Sequence, residues 1–272
     1  MEISAAQVKA FRDKTGLPMM ECKKALVEAG GDENEALELL KKAGLLKVAK
    51  MSDREASEGR ISIAEHAGRI GMAELRCETE PVAGTAEFVQ IANYAARFAA
   101  ESDDPTVDGV LAHALPDRPG TLGDMLQEVF NRIRENMKLH RVFSAKGPAG
   151  TYLHHNAKVG VIAELTAECP EVLRKGLCMH IASMKPAALR REEVPAGDTA
   201  AARERFAAEA AGKPPAVAEK MVDGKLSRWY SEFVLLEQPY VLDDKISVDQ
   251  ALKQADPKLT VTRYTRYEVG VA

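Results

Sequence analysis

Residues Arg60–Glu80 read RISIAEHAGRIGMAELRCETE, and residues Thr151–Glu168 read TYLHHNAKVGVIAELTAE. Apolar and polar side chains alternate along both, the period of a strand with one face buried. In the first, Ala67-Gly68 interrupts the alternation where a tight turn would join two antiparallel strands. Within these stretches HAGRIGMAEL and NAKVGVIAEL share an order: small residue, basic residue, β-branched residue, Gly, then Ala-Glu-Leu. The second copy needs one extra residue, so the alignment between them is loose. A helical pattern follows each. Phe88, Ile91, Ala92, Ala95, Phe98 and Ala99 form one stripe after the first, and PEVLRKGLCMHIASMKP (170–186) follows the second. The arrangement predicts an internal duplication of hairpin plus helix. Two such halves make an α+β core of antiparallel sheets covered by helices.

Working outward, ESDDPTVDG (101–109) and LPDRPG (115–120) are turn-rich, and LGDMLQEVFNRIRENMKLHRVF (122–143) is an amphipathic helix running into a short strand. Beyond Pro195 an Ala-rich stretch is helical on both sides of Gly212-Lys213-Pro214, which predicts a projecting αα-hairpin over about 198–232. Trp229 and Tyr230 are its packing anchors. A short helix near Val248–Gln254 and a strand in VTRYTRYEVG (261–270) complete the chain.

Residues 1–46 predict a small three-helix module. Ser4 precedes an amphipathic run carrying Val8 and Phe11 that ends at Thr15-Gly16. Pro18 opens a second helix, Asp32 caps a third after Gly30-Gly31, and Gly44 closes it. Residues 47–58 turn polar and lose periodicity, as a linker does. The expected units are therefore 1–46, a linker over 47–58, and core halves over 59–146 and 147–272.

Composition narrows the function classes. A net charge of −4 provides no global basic field for nucleic acid or an acidic membrane, and aromatics at 5% are too sparse for a stacking platform. Cys22, Cys77, Cys169 and Cys178 include no CxxC pair, which suits reduced thiols. Lys9, Arg12 and Lys14 interrupt any signal-like apolar run, and no run is long enough to span a membrane, so a cytoplasmic protein is expected. Phosphate-loop, dinucleotide, zinc-protease and nucleophile-elbow motifs are absent from the sequence. No cofactor or metal is expected: His154 and His155 are adjacent, and on a strand they would face opposite ways.

Three features hold chemical interest. Met19-Met20 at a helix start is either one core and one exposed residue or a soft apolar patch for a partner; Lys23-Lys24 reads as a solvated face. Glu78 and Glu80 are either a solvated turn or, in a pocket, an acid/base pair. His180 is either a packed helix histidine or a ligand.

TGLPMMECKKALVEAGGDENEALELLKKAG (15–44) resembles the N-terminal, ubiquitin-associated-like module of elongation factor Ts. AGKPPAVAEKMVDGKLSRWYSEFVLLEQPYV (211–241), NRIRENMKLHRVF (131–143), YLHHNAKVG (152–160) and MHIASMKP (179–186) are similar to further segments of that family, in the same order. The resemblance implies no bond-making chemistry. It implies a guanine-nucleotide exchange factor for the GTPase elongation factor Tu, which disturbs the Mg²⁺ and phosphate contacts of bound GDP. Carried over by residue, it places Arg12, Met19, Met20 and Lys23 on the nucleotide-binding domain of that GTPase. His180 then reaches towards its phosphate-binding side. Thr79-Glu80-Pro81-Val82-Ala83 stands where the family has Thr-Asp-Phe-Val-Ala, so Pro81 replaces an aromatic wedge and Glu80 adds a methylene to an aspartate. The chain also stops at EVGVA, where many members continue with a helical segment. Some relatives dimerise, and the residues here decide neither a monomer nor a homodimer. Two other readings follow: a partner-binding paralogue with weak exchange because of Pro81, and a ubiquitin-binding adaptor built on residues 1–46.

Overall fold

The structure is a computed structural model that describes residues 3–15, 17–42 and 54–271. The expected helix stops at Gly16 and Gly44, and most of the linker expected over 47–58, lie outside these residues.

The N-terminal module has three helices, α1 (Ala5–Thr15), α2 (Met19–Glu28) and α3 (Glu33–Lys42). Ser4 and Gln7 exchange hydrogen bonds at the start of α1. Pro18 is the N-cap of α2, and the Asp32 carboxylate accepts from the Asn34 and Glu35 amides to cap α3. Val8, Phe11, Leu17, Cys22, Leu26, Ala36 and Leu40 are buried together. Among the described residues, this apolar cluster draws on the module alone.

The rest of the described chain is built on two three-stranded antiparallel sheets. β1 (Glu58–His66), β2 (Arg69–Cys77) and β3 (Lys138–Lys146) form the first, in the order β1-β2-β3. β4 (Ala149–Leu153), β5 (Val159–Leu165) and β8 (Val261–Glu268) form the second, in the order β4-β5-β8. Along the chain, between β2 and β3, come α4 (Glu80–Ala83), α5 (Ala86–Ala99), α6 (Val107–Leu111) and α7 (Leu122–Ile133). The second half carries α8 (Glu171–Met184), α9 (Ala196–Glu209), α10 (Pro215–Phe233) and α11 (Val248–Ala255), plus the small ribbon β6 (Pro239–Tyr240) and β7 (Asp243–Ser247). Ala67 (φ 49°) and Gly68 (φ 76°) turn β1 into β2, both in the left-handed region that matches strand twist in a two-residue turn.

The duplication is visible in the ladders. The β2–β3 register slips between Glu74 and Leu75, and the β5–β8 register slips between Glu164 and Leu165. Just before each slip the glutamate faces an arginine, Arg141 and Arg263 respectively, and pairs with it at 2.6 Å and 2.5 Å. Glu74 therefore corresponds to Glu164. This equivalence corrects the alignment through glycine: Gly71 corresponds to Val161 and Gly160 to Ile70, and a one-residue offset reverses the face. The two glycines do different work. A Cβ on Gly71 would overlap Ala96 O and Ala100 N, so its absence lets α5 lie directly on β2. A Cβ on Gly160 would stand 2.6 Å from Ile61 Cγ2 and 3.0 Å from Met72 Sδ, so its absence lets the two sheets approach.

Each sheet has helices on one face, giving one cluster around Phe88, Ile91 and Leu122 and another around Leu177, Ile181 and Leu235. Ile61, Ile70, Met72, Ala145, Ile162 and Tyr267 fill the space between the sheets. The fold is the α+β duplication expected, and the structure adds detail at three places. Within 122–143 the expected helix ends at Ile133, where Arg134 adopts φ 63°, and the strand expected to be short is the nine-residue β3. The terminal strand β8 is the third strand of the second sheet. His154 and His155 lie beyond the end of β4, and their rings sit 4.2 Å apart instead of on opposite faces. In the αα-hairpin of α9 and α10, Trp229 packs edge-on against Phe233 at 4.6 Å and Tyr230 is buried, both anchoring it.

Candidate partner-binding surface

The knuckle between β2 and α5 is short and heavily braced. Thr79 is the N-cap of α4 with an extended backbone, Glu80 begins the helix, and Pro81 follows in the first turn, where a missing N–H costs nothing. The Glu135 carboxylate accepts from both the Thr79 hydroxyl (2.7 Å) and the Thr79 amide (3.0 Å). Glu78 accepts from the Asn136 amide at 2.7 Å. The Cys77 thiol donates to Thr79 O at 3.1 Å; burial, with Glu135 nearby, pushes this thiol up to about 12, so it remains a donor. Arg60 donates to Ala83 O at 3.3 Å, and Val82 and Ala83 are buried. What protrudes from this frame is Glu80, with 74% of its side chain exposed, and the exposed ring of Pro81.

The paired-carboxylate reading is set aside by this geometry. Glu78 turns inward to Asn136 and lies 3.6 Å from Arg54, whereas Glu80 turns outward to Lys158 at 3.4 Å. Neither lines any of the larger surface cavities. The described residues contain no group of three or more His, Cys, Asp or Glu side chains placed to hold one metal ion.

On the N-terminal module, Arg12 projects from α1, and Met19, Met20 and Lys23 project from α2. Met19 is 47% and Met20 64% exposed, so neither belongs to the core, and the reading that buries one of them is corrected. The core face of α2 is taken by Cys22, Ala25 and Leu26, which leaves positions 19, 20 and 23 facing outward. Val27, one turn beyond Lys23 and also exposed, extends the apolar strip. Sequence reasoning passed over it.

His180, by contrast, is fully buried on α8. Its Nδ1 accepts from the Val241 amide at 3.2 Å, so Nε2 carries the proton and donates to Gln238 Oε1 at 3.0 Å. Burial lowers its pKa below the ordinary histidine value, against a smaller upward pull from Gln238. The ring is thus neutral and occupied at both nitrogens. It presents nothing to solvent in the unbound chain. Instead it holds the two-residue turn Val241-Leu242, whose side chains are exposed. Leu242 overlies Gly176, and Val172 and Met179, one turn to either side on α8, are exposed as well. These four apolar residues escaped the sequence reading. A Val-Leu pair at a tight turn, where Gly, Asn and Asp are usual, is the signal that could have found them.

Two features therefore stand out on the surface of the described residues: the braced tip at Glu80 and Pro81, and the exposed apolar side chains of Met19, Met20 and Val27. A family profile described as Elongation factor TS matches residues 78–271. The elongation factor Ts of Methylococcus capsulatus is 39% identical over 278 residues, covering 99% of this chain and 93% of that protein. That of Saccharopolyspora erythraea is 39% identical over 277 residues, covering 99% and 98%. That of Treponema denticola is 36% identical over 289 residues, covering 100% and 99%. The chain belongs to the elongation factor Ts family, a family of translation elongation factors. No helix among the described residues is long and apolar enough to cross a membrane.

Proposed function

We propose that this protein promotes release of GDP from the translational GTPase elongation factor Tu, and makes no bonds in doing so. The observation that carries this reading is the knuckle: Glu80 and Pro81 protrude while the residues on either side are buried or hydrogen-bonded. A tip held that firmly can press on a partner without yielding. An exchange factor needs this, because it must bind the nucleotide-free GTPase more tightly than the GDP-loaded one. By linkage it then weakens GDP by the same factor. Of the four residues Thr79–Val82, the protruding Glu80 and Pro81 are assigned to the region of the bound Mg²⁺ and phosphates, and the hydrogen-bonded Thr79 and buried Val82 are assigned as their supports. Arg12, Met19, Met20 and Lys23 grip the nucleotide-binding domain. His180 is assigned as the support beneath Val241, which makes contact in its place.

The test is the rate of labelled GDP release from the cognate elongation factor Tu. Micromolar protein accelerates it; no acceleration overturns the reading. Pro81 favours one second reading, a binding partner with little exchange activity, because a small ring cannot fill an aromatic pocket. Replacing a lost aromatic anchor is worth about 2 kcal/mol or more, so Pro81→Phe raises the exchange rate on the order of thirtyfold or more under the second reading. A rise confined to binding affinity, with fast exchange already present in the wild type, favours the first.

A further inference from the structure

Lys158 belongs to the second half of the core, just before β5, yet its ammonium reaches into the first half. It donates to Glu58 Oε2 at 2.6 Å and lies 3.4 Å from Glu80 Oε1. Its backbone is fixed from two sides. The Ile61 amide donates to Ala157 O at 2.7 Å, and the Val269 amide donates to Lys158 O at 2.9 Å. Ala157 holds φ 56°, a left-handed conformation unfavourable for a residue with a Cβ, and this turn aims its carbonyl at β1. The ammonium keeps its proton strongly: the Glu58 hydrogen bond, with the charges of Glu58 and Glu80, raises its pKa above the ordinary lysine value against an opposing pull from burial.

The two carboxylates are held unequally. Glu58 is about two-thirds shielded and close, so it anchors the ammonium; Glu80 is mostly exposed and at longer range. An exposed pair of this kind adds little to stability. It does restrict a side chain with three rotatable bonds that would otherwise sweep freely over the tip.

We propose that Lys158 is a positioning residue for the Glu80 carboxylate, anchored on Glu58 and holding the contact acid of the knuckle in the orientation it presents to the GTPase. This rests on the exchange reading above. It also makes the second half of the core contribute directly to the tip carried by the first.

The experiment is a double-mutant cycle on GDP release, with Lys158→Met and Glu80→Gln singly and together, and Lys158→Arg as the conservative variant. Lys158→Met slows release by about threefold to fivefold, the range a partly exposed ion pair commands. The loss falls on the maximal rate and leaves the KM for the GDP-bound GTPase unchanged. It disappears in the Glu80→Gln background, and Lys158→Arg restores most of the rate. Equal slowing in both backgrounds, or a change in KM alone, overturns the proposal. Side-chain order measured by NMR at the Glu80 methylenes of the free protein separates the two readings: it falls in Lys158→Met if the tether exists. Unchanged order overturns the tether even where wild-type exchange is fast. A wild-type protein that fails to release GDP overturns the exchange reading, and this assignment of function to the tether with it.

Discussion

Glu74 and His180 are two of the buried polar residues, and their surroundings define what they do. Glu74 is fully buried and binds Arg76 Nε and Arg141 Nε, each at 2.6 Å. Both arginines also donate to Val271 O, and Arg141 stacks over Tyr267, so this carboxylate ties the end of the second sheet to the first. Glu74→Gln leaves two guanidinium groups short of their counter-charge in a dry setting and is expected to cost about 3 kcal/mol, read as a fall in the urea midpoint. His180 makes stability depend on pH. Its folded pKa is lowered by burial. Above about 6.5, the ordinary histidine value, both states are neutral and its contribution is fully present. As pH falls toward the lowered folded value, the unfolded chain takes up a proton first and stability is lost, at up to about 1.4 kcal/mol per pH unit. Urea titrations of the wild type and His180→Asn across this window test it: the variant shows a flatter acid limb. A matching slope in both would remove His180 from the account.

At the scale of elements, the hairpin β1–β2 and its contact with α5 were legible in the sequence, and their tolerances were not. Alternation and the Ala67-Gly68 break placed both strands. The stripe from Phe88 to Ala99 placed the helix and its buried face. That Gly71 is the point of closest approach could not be read, because a glycine in a strand is equally consistent with a bulge or a turn edge. Gly71→Ala drives a methyl group into the backbone of α5 and is expected to destabilise by about 3 kcal/mol, visible as a lowered thermal midpoint. Ala67→Asn acts the other way. The exposed Ala67 sits at φ 49°, where Asn is tolerated far better, so this change is expected to stabilise by about 0.5–1 kcal/mol in the same measurement.

At the scale of the whole molecule, the apolar cluster of the N-terminal module shares no residue, among the described ones, with the clusters around the sheets. Removing residues 1–46 is therefore expected to leave the main thermal transition of the remaining chain within a few degrees of its original midpoint. The same truncation takes away Arg12, Met19, Met20 and Lys23 and raises the concentration needed for half-maximal GDP release by tenfold or more, on the order of the loss of one interface hot spot. A truncated chain that exchanges as well as the full one removes the module from the proposed interface.

The sequence by itself determined the element order, the internal duplication and the likeness to elongation factor Ts, because periodicity, turn residues and recurring motifs are local properties of the chain. Through that likeness it also offered Thr79–Val82, Arg12, Met19, Met20 and Lys23 as candidate contact positions. Only the tertiary structure decided that His180 lies under Val241 instead of on the surface, that Glu78 and Glu80 point apart, and that the glycines of the two repeats face opposite ways. Burial, strand register and the approach of Lys158 to Glu80 depend on which distant segments pack together, and those pairings bring residues 61 and 157, or 180 and 241, into contact with no local signal. A side chain's face is written in the chain; its neighbours across the fold are set by packing.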